Sequence, residues 1–176
     1  MGEGKTKKEL AREFSAGGVV FKKQGGDFLW LVAKSSPNEK FPGEFWRLPK
    51  GWLDDADGRI YPGPLATGKK KAKAEEIQAA AKREVREEGG VEAKILAKVE
   101  TARYFTRTVQ GPALKFVTFY LMEWVKDLPE GYGHETAEIA WLPLEEAKKK
   151  LSRERERLVL QKASDKLKAG IQENLV

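Results

Sequence analysis

Cysteine is absent from the chain, and histidine occurs only once. Without cysteine, neither a disulfide nor a thiolate zinc site can form. The sequence also lacks a hydrophobic run long enough to span a bilayer, and its first 13 residues are charged rather than signal-like. These absences predict a cytoplasmic protein with no membrane partner.

The composition favours one compact domain over residues 1–176. At 176 residues and 40% hydrophobic content, the chain can bury one substantial core but not two. Its formal net charge of +6 favours anionic partners, including nucleotides and RNA, without choosing between them. Both a monomer and a homodimer stay open as oligomeric states.

A helix predicted over residues 75–88 carries acids where apolar side chains belong. At about 100° per residue, one face holds Ile77, Ala80, Ala81, Glu84, Glu87 and Glu88. Unpaired carboxylates drawn toward a core cost several kcal/mol, so we expect a cation beside them. Three carboxylates on one turn suit hard divalent ions, above all Mg²⁺, with Mn²⁺ as the alternative.

The alternative interpretation is a solvated acidic last turn, since charge runs usually face water. Two features oppose it. Acids near a helix C-terminus meet the unfavourable end of the macrodipole. Arg83 and Arg86 also lie off the acidic face, so they need not neutralise its negative charge on the same helix.

Alternation, turn residues and apolar spacing predict the remaining elements. Strands are expected at residues 14–22, 28–34, 93–104, 115–125 and 139–142, and residues 46–48 lead into a Pro-Lys-Gly turn. The first two are joined by a Gly25-Gly26 turn, and Gln110-Gly111-Pro112 marks a later one. Helices are expected from Pro143 to about 151 and over 153–169, the latter with an apolar side of Leu158, Val159, Ala163 and Leu167.

The acidic helix resembles the signature of the Nudix hydrolases. Eight positions fit its second part at fixed spacing: Glu75, Arg83, Glu84, Val85, Glu87, Glu88, Gly90 and Val91. Residues 15–20 resemble the family's opening strand, and residues 141–147 resemble its closing strand and helix. The resemblance implies an α+β architecture, the Nudix fold, with a mixed β-sheet sandwiched between α-helices.

The sequence departs from the family at the first glycine of the signature. Leu48-Pro49-Lys50-Gly51 resembles the usual lead-in, but Gly51 lies 24 positions before Glu75 (75 − 51), where the pattern expects 6, which implies an 18-residue insertion. The insertion falls within residues 52–74. Its Asp-Gly and Pro-Gly-Pro segments predict a loop. The lysine-rich stretch 69–73 is interpreted as a solvated hinge, with a lid over a polyphosphate as the alternative.

The resemblance also implies roles for the residues around the acidic helix. Glu84, Glu87 and Glu88 are the expected metal ligands, and the Gly51 carbonyl is a further one. Lys50 is expected at the mouth of the site, touching a phosphate. Arg83 and Glu75 are expected to brace the loop and the helix by pairing.

The general base and the substrate contacts are less closely defined. Glu88, Glu135 and Glu138 are candidates for the base. Glu135 is the loop choice, because the preceding residues 131–134 have a composition typical of a mobile loop, although a solvated loop acid is an equal interpretation. His134 is a candidate phosphate ligand. For substrate binding we name Lys50, Arg103, Tyr104 and Lys115, with Tyr104 either stacking on a base or packing in the sheet.

The implied activity is hydrolysis of a phosphoanhydride bond by a Nudix pyrophosphohydrolase. Within the family, the chain most resembles the diadenosine polyphosphate hydrolase branch, which implies a dinucleoside polyphosphate substrate such as diadenosine tetraphosphate. The segments that carry this resemblance are the lead-in, the Tyr104 and Lys115 region, His134-Glu135 and residues 156–160. Alternative substrates are an RNA 5′ end, a diphosphoinositol phosphate, a nucleotide sugar or an oxidised nucleoside triphosphate. Two non-enzyme alternatives are a catalytically silent Nudix module that binds nucleotide or RNA, and a basic RNA-binding protein.

Overall fold

The computed structural model describes residues 10–38, 42–56, 60–108 and 111–173. The strands are β1 (Ala11–Gln24), β2 (Asp27–Ser35), β3 (Trp46–Arg47), β4 (Lys50–Trp52), β5 (Asp55–Ala56), β6 (Tyr61–Pro62), β7 (Val91–Thr108), β8 (Gly111–Asp127) and β9 (Thr136–Leu142). The helices are α1 (Pro64–Thr67), α2 (Ala74–Gly89), α3 (Leu144–Lys150) and α4 (Glu154–Glu173).

One mixed sheet organises the fold. In the described parts of the chain it has seven strands, with a central path β3-β2-β1-β8-β7, while β4 pairs with β1 and β9 pairs with β2. β1 and β8 run parallel, and every other recorded pair in this sheet is antiparallel. β1 therefore lies at the centre, in contact with three other strands.

Helices cover both faces of the sheet, because successive strand residues point to opposite sides. On one face, α2 packs its alanines and Val85 on a core that includes Ala16, Val20, Leu31 and Met122. On the other face, α3 and α4 pack on a core that includes Val19, Phe21, Trp30 and Val32. The predicted α+β architecture, a mixed sheet between helices, is confirmed.

Glycines end two elements as predicted. Gly25 and Gly26 adopt φ values of 58° and 88° between β1 and β2, a conformation that residues with a Cβ rarely adopt. Gly90, at φ 68°, ends α2 by donating its N–H to the carbonyl of Arg86 at 3.0 Å. Gln110 of the predicted later turn lies outside the described residues.

Segment 52–74, which we call the insertion because the sequence predicts it as one, is more than the predicted loop. It contains the short β5–β6 ladder and the single-turn helix α1. Asp54 holds this unit together, because its carboxylate accepts hydrogen bonds from the N–H groups of Leu65 (3.0 Å) and Ala66 (2.8 Å). Asp54 therefore supplies the hydrogen-bond acceptors for the start of α1.

The predicted apolar side of α4 was wrong at one position. Leu158 is 48% exposed, whereas Leu160 is fully buried beside Val159 and Ala163. The core side of α4 therefore keeps the predicted Val159, Ala163 and Leu167 and contains Leu160 in place of Leu158. No helix in the described residues combines the length and the apolar character needed to cross a bilayer.

Candidate active site

The last two turns of α2 place acids against the sheet. Glu84 is only 8% exposed and Glu88 only 3%, and both lie on the same side of the helix as the buried Ala80 and Ala81. Glu84 packs directly on β4, since a Cβ added at Gly51 would lie 2.3–2.5 Å from its carboxylate atoms. A Cβ at position 51 would therefore displace the carboxylate of Glu84.

A cation does contact the buried Glu88. Arg47 Nη2 lies 3.0 Å from Glu88 Oε1, and the backbone N–H of Lys50 donates to Oε2 at 2.9 Å. The sequence required positive charge here but did not identify Arg47. Because Arg47 lies in a two-residue strand without a recognisable pattern, only the folded chain reveals this pairing.

Burial raises the pKa values of both acids. Desolvation, reinforced by the charge of Glu87, raises the pKa of Glu84 to about 7. Desolvation also raises the pKa of Glu88 to about 8, against the opposing effect of Arg47. The protein's own cations therefore do not fully offset the buried negative charge.

Arg83 holds α2 to the loop that follows β4. Its Nη2 donates to the carbonyl of Trp52 at 2.7 Å and lies 3.3 Å from Glu84 Oε1. The expectation that Arg83 leaves the acidic face alone was wrong, since a long side chain reaches around the helix. Glu75 is exposed, and no ion pair joins it to Arg83 in the described chain.

The loop from Gly131 to Glu135 lies over the end of α2. The N–H of Gly133 donates to the backbone carbonyl of Glu87 at 2.7 Å, and the hydroxyl of Thr136 donates to the backbone carbonyl of Glu88 at 2.8 Å. Residues 133–135 line a small hollow together with Glu87 and Glu88. The loop predicted as mobile is thus tied to the acidic helix.

The candidate bases occupy different places. Glu135 borders the hollow, and its charge contributes to the raised pKa values of Glu84 and Glu88. Glu138 lies further along β9, opposite Lys34, and is exposed. His134 also borders the hollow, on the exposed side.

A buried cationic cluster, formed by Lys50, Tyr104, Lys115 and Arg153, lies on the α4 face of the sheet. Lys50 Nζ donates to the Tyr104 hydroxyl at 2.7 Å, and Tyr104 lies opposite Lys115 across β7 and β8. The guanidinium of Arg153 lies 5.5 Å from the centre of the Tyr104 ring. Burial lowers the pKa of Lys50 and that of Lys115. The structure thus brings three of the four predicted substrate residues together.

Arg103 is not brought to this cluster. It precedes Tyr104 in β7, so its side chain points to the opposite face, and it is exposed. Two residues that sequence reasoning missed, Arg153 and Glu156, take part instead. Glu156 is 1% exposed, accepts from the N–H of Leu48 at 2.7 Å and lies 3.5 Å from Lys50 Nζ.

The donor set fits a hard divalent ion by its chemistry. Glu84, Glu87 and Glu88 offer carboxylate oxygens, which such ions prefer, and burial keeps the pKa values of Glu84 and Glu88 raised in spite of Arg83 and Arg47, so a further cation would offset the remaining charge. No three acidic or histidine side chains in the described chain converge into a ready cage. Both oxygens of Glu88 are engaged, one by Arg47 and one by the N–H of Lys50.

Comparison with known proteins identifies the family. The sequence profile of the NUDIX domain matches residues 11–163. The fold is similar to an Ap4A hydrolase of C. elegans (TM-score 0.58, 23% identity, covering 89% of this chain and 98% of that one). It is also similar to a MutT protein of Methanosarcina mazei Go1 (0.59, 17%, 91% and 98%) and to the NUDIX domain of Shewanella oneidensis NrtR, solved with ADP ribose (0.52, 13%, 89% and 89%). No curated protein matches at a significant level.

The match and the acidic helix agree on a pyrophosphohydrolase of the Nudix class. The chain belongs to the NUDIX family. Nudix hydrolases generally use divalent metal ions, which is consistent with the oxygen-rich face of α2.

Proposed function

We propose that the protein hydrolyses a phosphoanhydride bond in a dinucleoside polyphosphate, such as diadenosine tetraphosphate, with Mg²⁺. The observation that carries the proposal is the position of Lys50. Its backbone N–H binds Glu88 of the acidic face, while its ammonium lies in the cationic cluster on the other side of the sheet edge. The backbone and the side chain of this one residue thus connect the acids that would hold a metal to the cations that would hold a phosphate chain.

The cationic cluster is suited to polyphosphate. Lys50, Lys115 and Arg153 have two acids nearby, the buried Glu156 beside Lys50 and the half-buried Glu13, whose charge acts on Lys115, so positive charge is in excess. Burial lowers the pKa values of both lysines, and a phosphate would offset this by restoring a counter-charge. Tyr104 offers a ring face beside these cations, which suits a nucleobase.

The acidic face supplies the site of hydrolysis. Glu84, Glu87, Glu88 and the Gly51 carbonyl would hold Mg²⁺, with Mn²⁺ as the substitute. When bound, such an ion offsets phosphate charge and makes a bound water more acidic. Glu135 would take the proton of the attacking water, which its position in the loop tied to the carbonyl of Glu87 supports, and Glu88 and Glu138 are the other candidates. Arg83 braces the loop by binding the carbonyl of Trp52.

A substrate panel tests the proposal. The wild-type protein is incubated with Mg²⁺ or Mn²⁺ and with diadenosine tetraphosphate, ADP-ribose, an oxidised nucleoside triphosphate, a diphosphoinositol phosphate or 5′-triphosphorylated RNA. We expect selective conversion of diadenosine tetraphosphate to ATP and AMP, identified by mass. Preference for another compound would reassign the substrate, whereas turnover of none, with nucleotide still bound, would favour a silent binding module.

The cationic cluster has its own test. Lys115→Gln removes one buried positive charge, and we expect KM for diadenosine tetraphosphate to rise about tenfold, the effect of losing one charge-assisted contact. Lys94→Gln, at an exposed position of β7, is the matched control and should leave KM unchanged. Equal KM values in the two variants would remove Lys115 from the substrate site.

A cytoplasmic location is part of the same proposal, since such nucleotides are intracellular compounds.

A further inference from the structure

A second cavity lies between the insertion and the sheet. It has a volume of about 350 Å³, within the range of small-molecule sites. Its floor comes from β1 and β8, and its outer wall comes from Leu65, Gly68 and Ala72 of the insertion. Segments 52–74 and the sheet therefore build this space jointly, and we refer to it as the insertion cavity.

The insertion cavity lies on a different face from the cationic cluster. Phe14 and Ile77, which line it, pack on the core under α2. Tyr104 of the cationic cluster packs on the core under α3 and α4. Because the two groups lie on opposite faces of one sheet, a ligand in the insertion cavity would not occupy the proposed substrate site.

The floor of the cavity is aromatic. The rings of Phe14 and Phe116 stack with centroids 5.2 Å apart and planes 11° from parallel, and both line the cavity. Such a surface favours a flat ring as a partner. Leu53 and Leu65 complete the apolar lining.

The lining also offers a hydroxyl proton. Thr101 and Thr118 both line the cavity, and their hydroxyl oxygens are joined by a hydrogen bond of 3.1 Å. That bond uses one of the two hydroxyl protons, so the other can be donated to a ring nitrogen or a carbonyl of a ligand.

The rim of the cavity is cationic. Lys70, Lys71 and Lys98 line it and are exposed, whereas none of the described lining residues is acidic. The lysine-rich stretch, interpreted from sequence as a hinge, thus stands at the mouth of an apolar chamber. An anionic group attached to a buried ring would meet these ammonium groups.

We propose that the insertion cavity binds a heteroaromatic anion of mononucleotide size, with its ring on Phe14 and Phe116 and its anionic group at Lys70 and Lys71. The aromatic floor selects a planar body, the Thr101–Thr118 hydroxyl pair selects a ring that can accept a hydrogen bond, and the rim selects negative charge. None of the proposed metal ligands, Gly51, Glu84, Glu87 and Glu88, is among the described residues that line this cavity, so a ligand bound there is not expected to be hydrolysed.

AMP is the probe that tests this proposal in the full chain. Hydrogen exchange is measured with and without AMP, and we expect protection of the amides of residues 14–15 and 65–72. Lys70→Glu/Lys71→Glu should weaken this binding by at least about tenfold. The control, Lys166→Glu/Lys168→Glu, makes the same charge change at exposed positions of α4 and should leave it within about twofold.

A second variant probes the chamber itself. Ala72 is half-buried in the wall, so Ala72→Phe fills the cavity and should abolish the protection of residues 14–15, with circular dichroism verifying the fold. Protection confined to the surroundings of Lys50 and Tyr104 would overturn the proposal. So would equal affinity in the two lysine double variants, undetectable AMP binding, or tighter binding of octanoate than of AMP.

Discussion

Lys50 links two environments of opposite charge. Its backbone N–H is bound to a buried carboxylate, and its buried ammonium lies beside a tyrosine hydroxyl and Glu156. A buried lysine without such partners would lose its proton or destabilise the fold. Glu156 and Glu88 support the charge of Lys50, whereas burial and the nearby Arg153 and Arg47 oppose it, and its pKa is lowered.

Gly51 is the residue at which sterics matter most. Gly51→Ala places a Cβ within 2.3–2.5 Å of the Glu84 carboxylate atoms, so the carboxylate must move away from β4. We expect a loss of about 1–3 kcal/mol in the free energy of unfolding and a fall of about 100-fold in kcat. Urea denaturation and steady-state kinetics measure both.

The control for that substitution is Gly43→Ala. A Cβ at Gly43 meets nothing within 4 Å, so the variant should match the wild type in stability and rate. If Gly51→Ala were as active as Gly43→Ala, the close packing of β4 on Glu84 would have no role in the reaction.

At the scale of elements, α4 supports the lead-in through one buried acid. Glu156 accepts from the N–H of Leu48 and lies beside the ammonium of Lys50, so a helix on one face of the sheet positions the loop that carries Gly51. Breaking a buried pair by removing one partner is costly, because the other charge stays buried.

Glu156→Ala should therefore destabilise the protein by about 3 kcal/mol or more, measured by urea denaturation. Glu156→Gln keeps an acceptor for the N–H of Leu48 and should lose less. Leu158→Ala, on the exposed side of the same helix, should cost less than about 1 kcal/mol. A similar loss in Glu156→Ala and Leu158→Ala would show that this support is unimportant.

The same elements show how far the sequence could predict the structure. Glu84 stands out because it interrupts an apolar stripe, and Glu156 interrupts the stripe of Val159, Leu160 and Ala163 in the same way. The interruption at Glu156 could therefore have been recognised from the sequence, but it was overlooked because Leu158 was wrongly assigned to the apolar side of α4. Arg47 gave no such signal, since its partner is 41 positions away and its strand has two residues.

The insertion marks another limit of sequence reasoning. Its Asp, Gly and Pro residues predict turns correctly, but α1 depends on Asp54, ten positions before its first residue, Pro64. The cavity beneath it depends on packing against Phe14 and Phe116, which no local pattern encodes. Long-range contacts of this kind appear only in the folded chain.

At the scale of the whole molecule, buried acids connect stability to pH. The folded-state pKa values of Glu84 and Glu88, about 7 and about 8, lie above the ordinary carboxyl value. Their contribution to stability is therefore fully present below the unfolded pKa, near pH 4, and is lost as pH rises through 7 and 8.

Without divalent ions, the free energy of unfolding should fall between pH 6 and pH 9, by an amount on the order of 3 kcal/mol. Added Mg²⁺ should restore much of that loss at pH 9, because a ligand that binds only the folded state stabilises it. Glu84→Gln/Glu88→Gln, which lacks both titrating groups, should show a flatter profile. A wild-type profile as flat as that of the variant would refute the raised pKa values.

The most direct test of the central claim, that the acidic face of α2 carries the chemistry, is the Mg²⁺-dependent rate of Glu87→Gln. The substitution removes one charge from a half-buried position while keeping its shape. We predict that kcat falls by at least about 100-fold with the circular dichroism spectrum unchanged, while the exposed Glu145→Gln on α3 keeps the wild-type rate. Near-normal Mg²⁺-dependent turnover in Glu87→Gln would contradict the account.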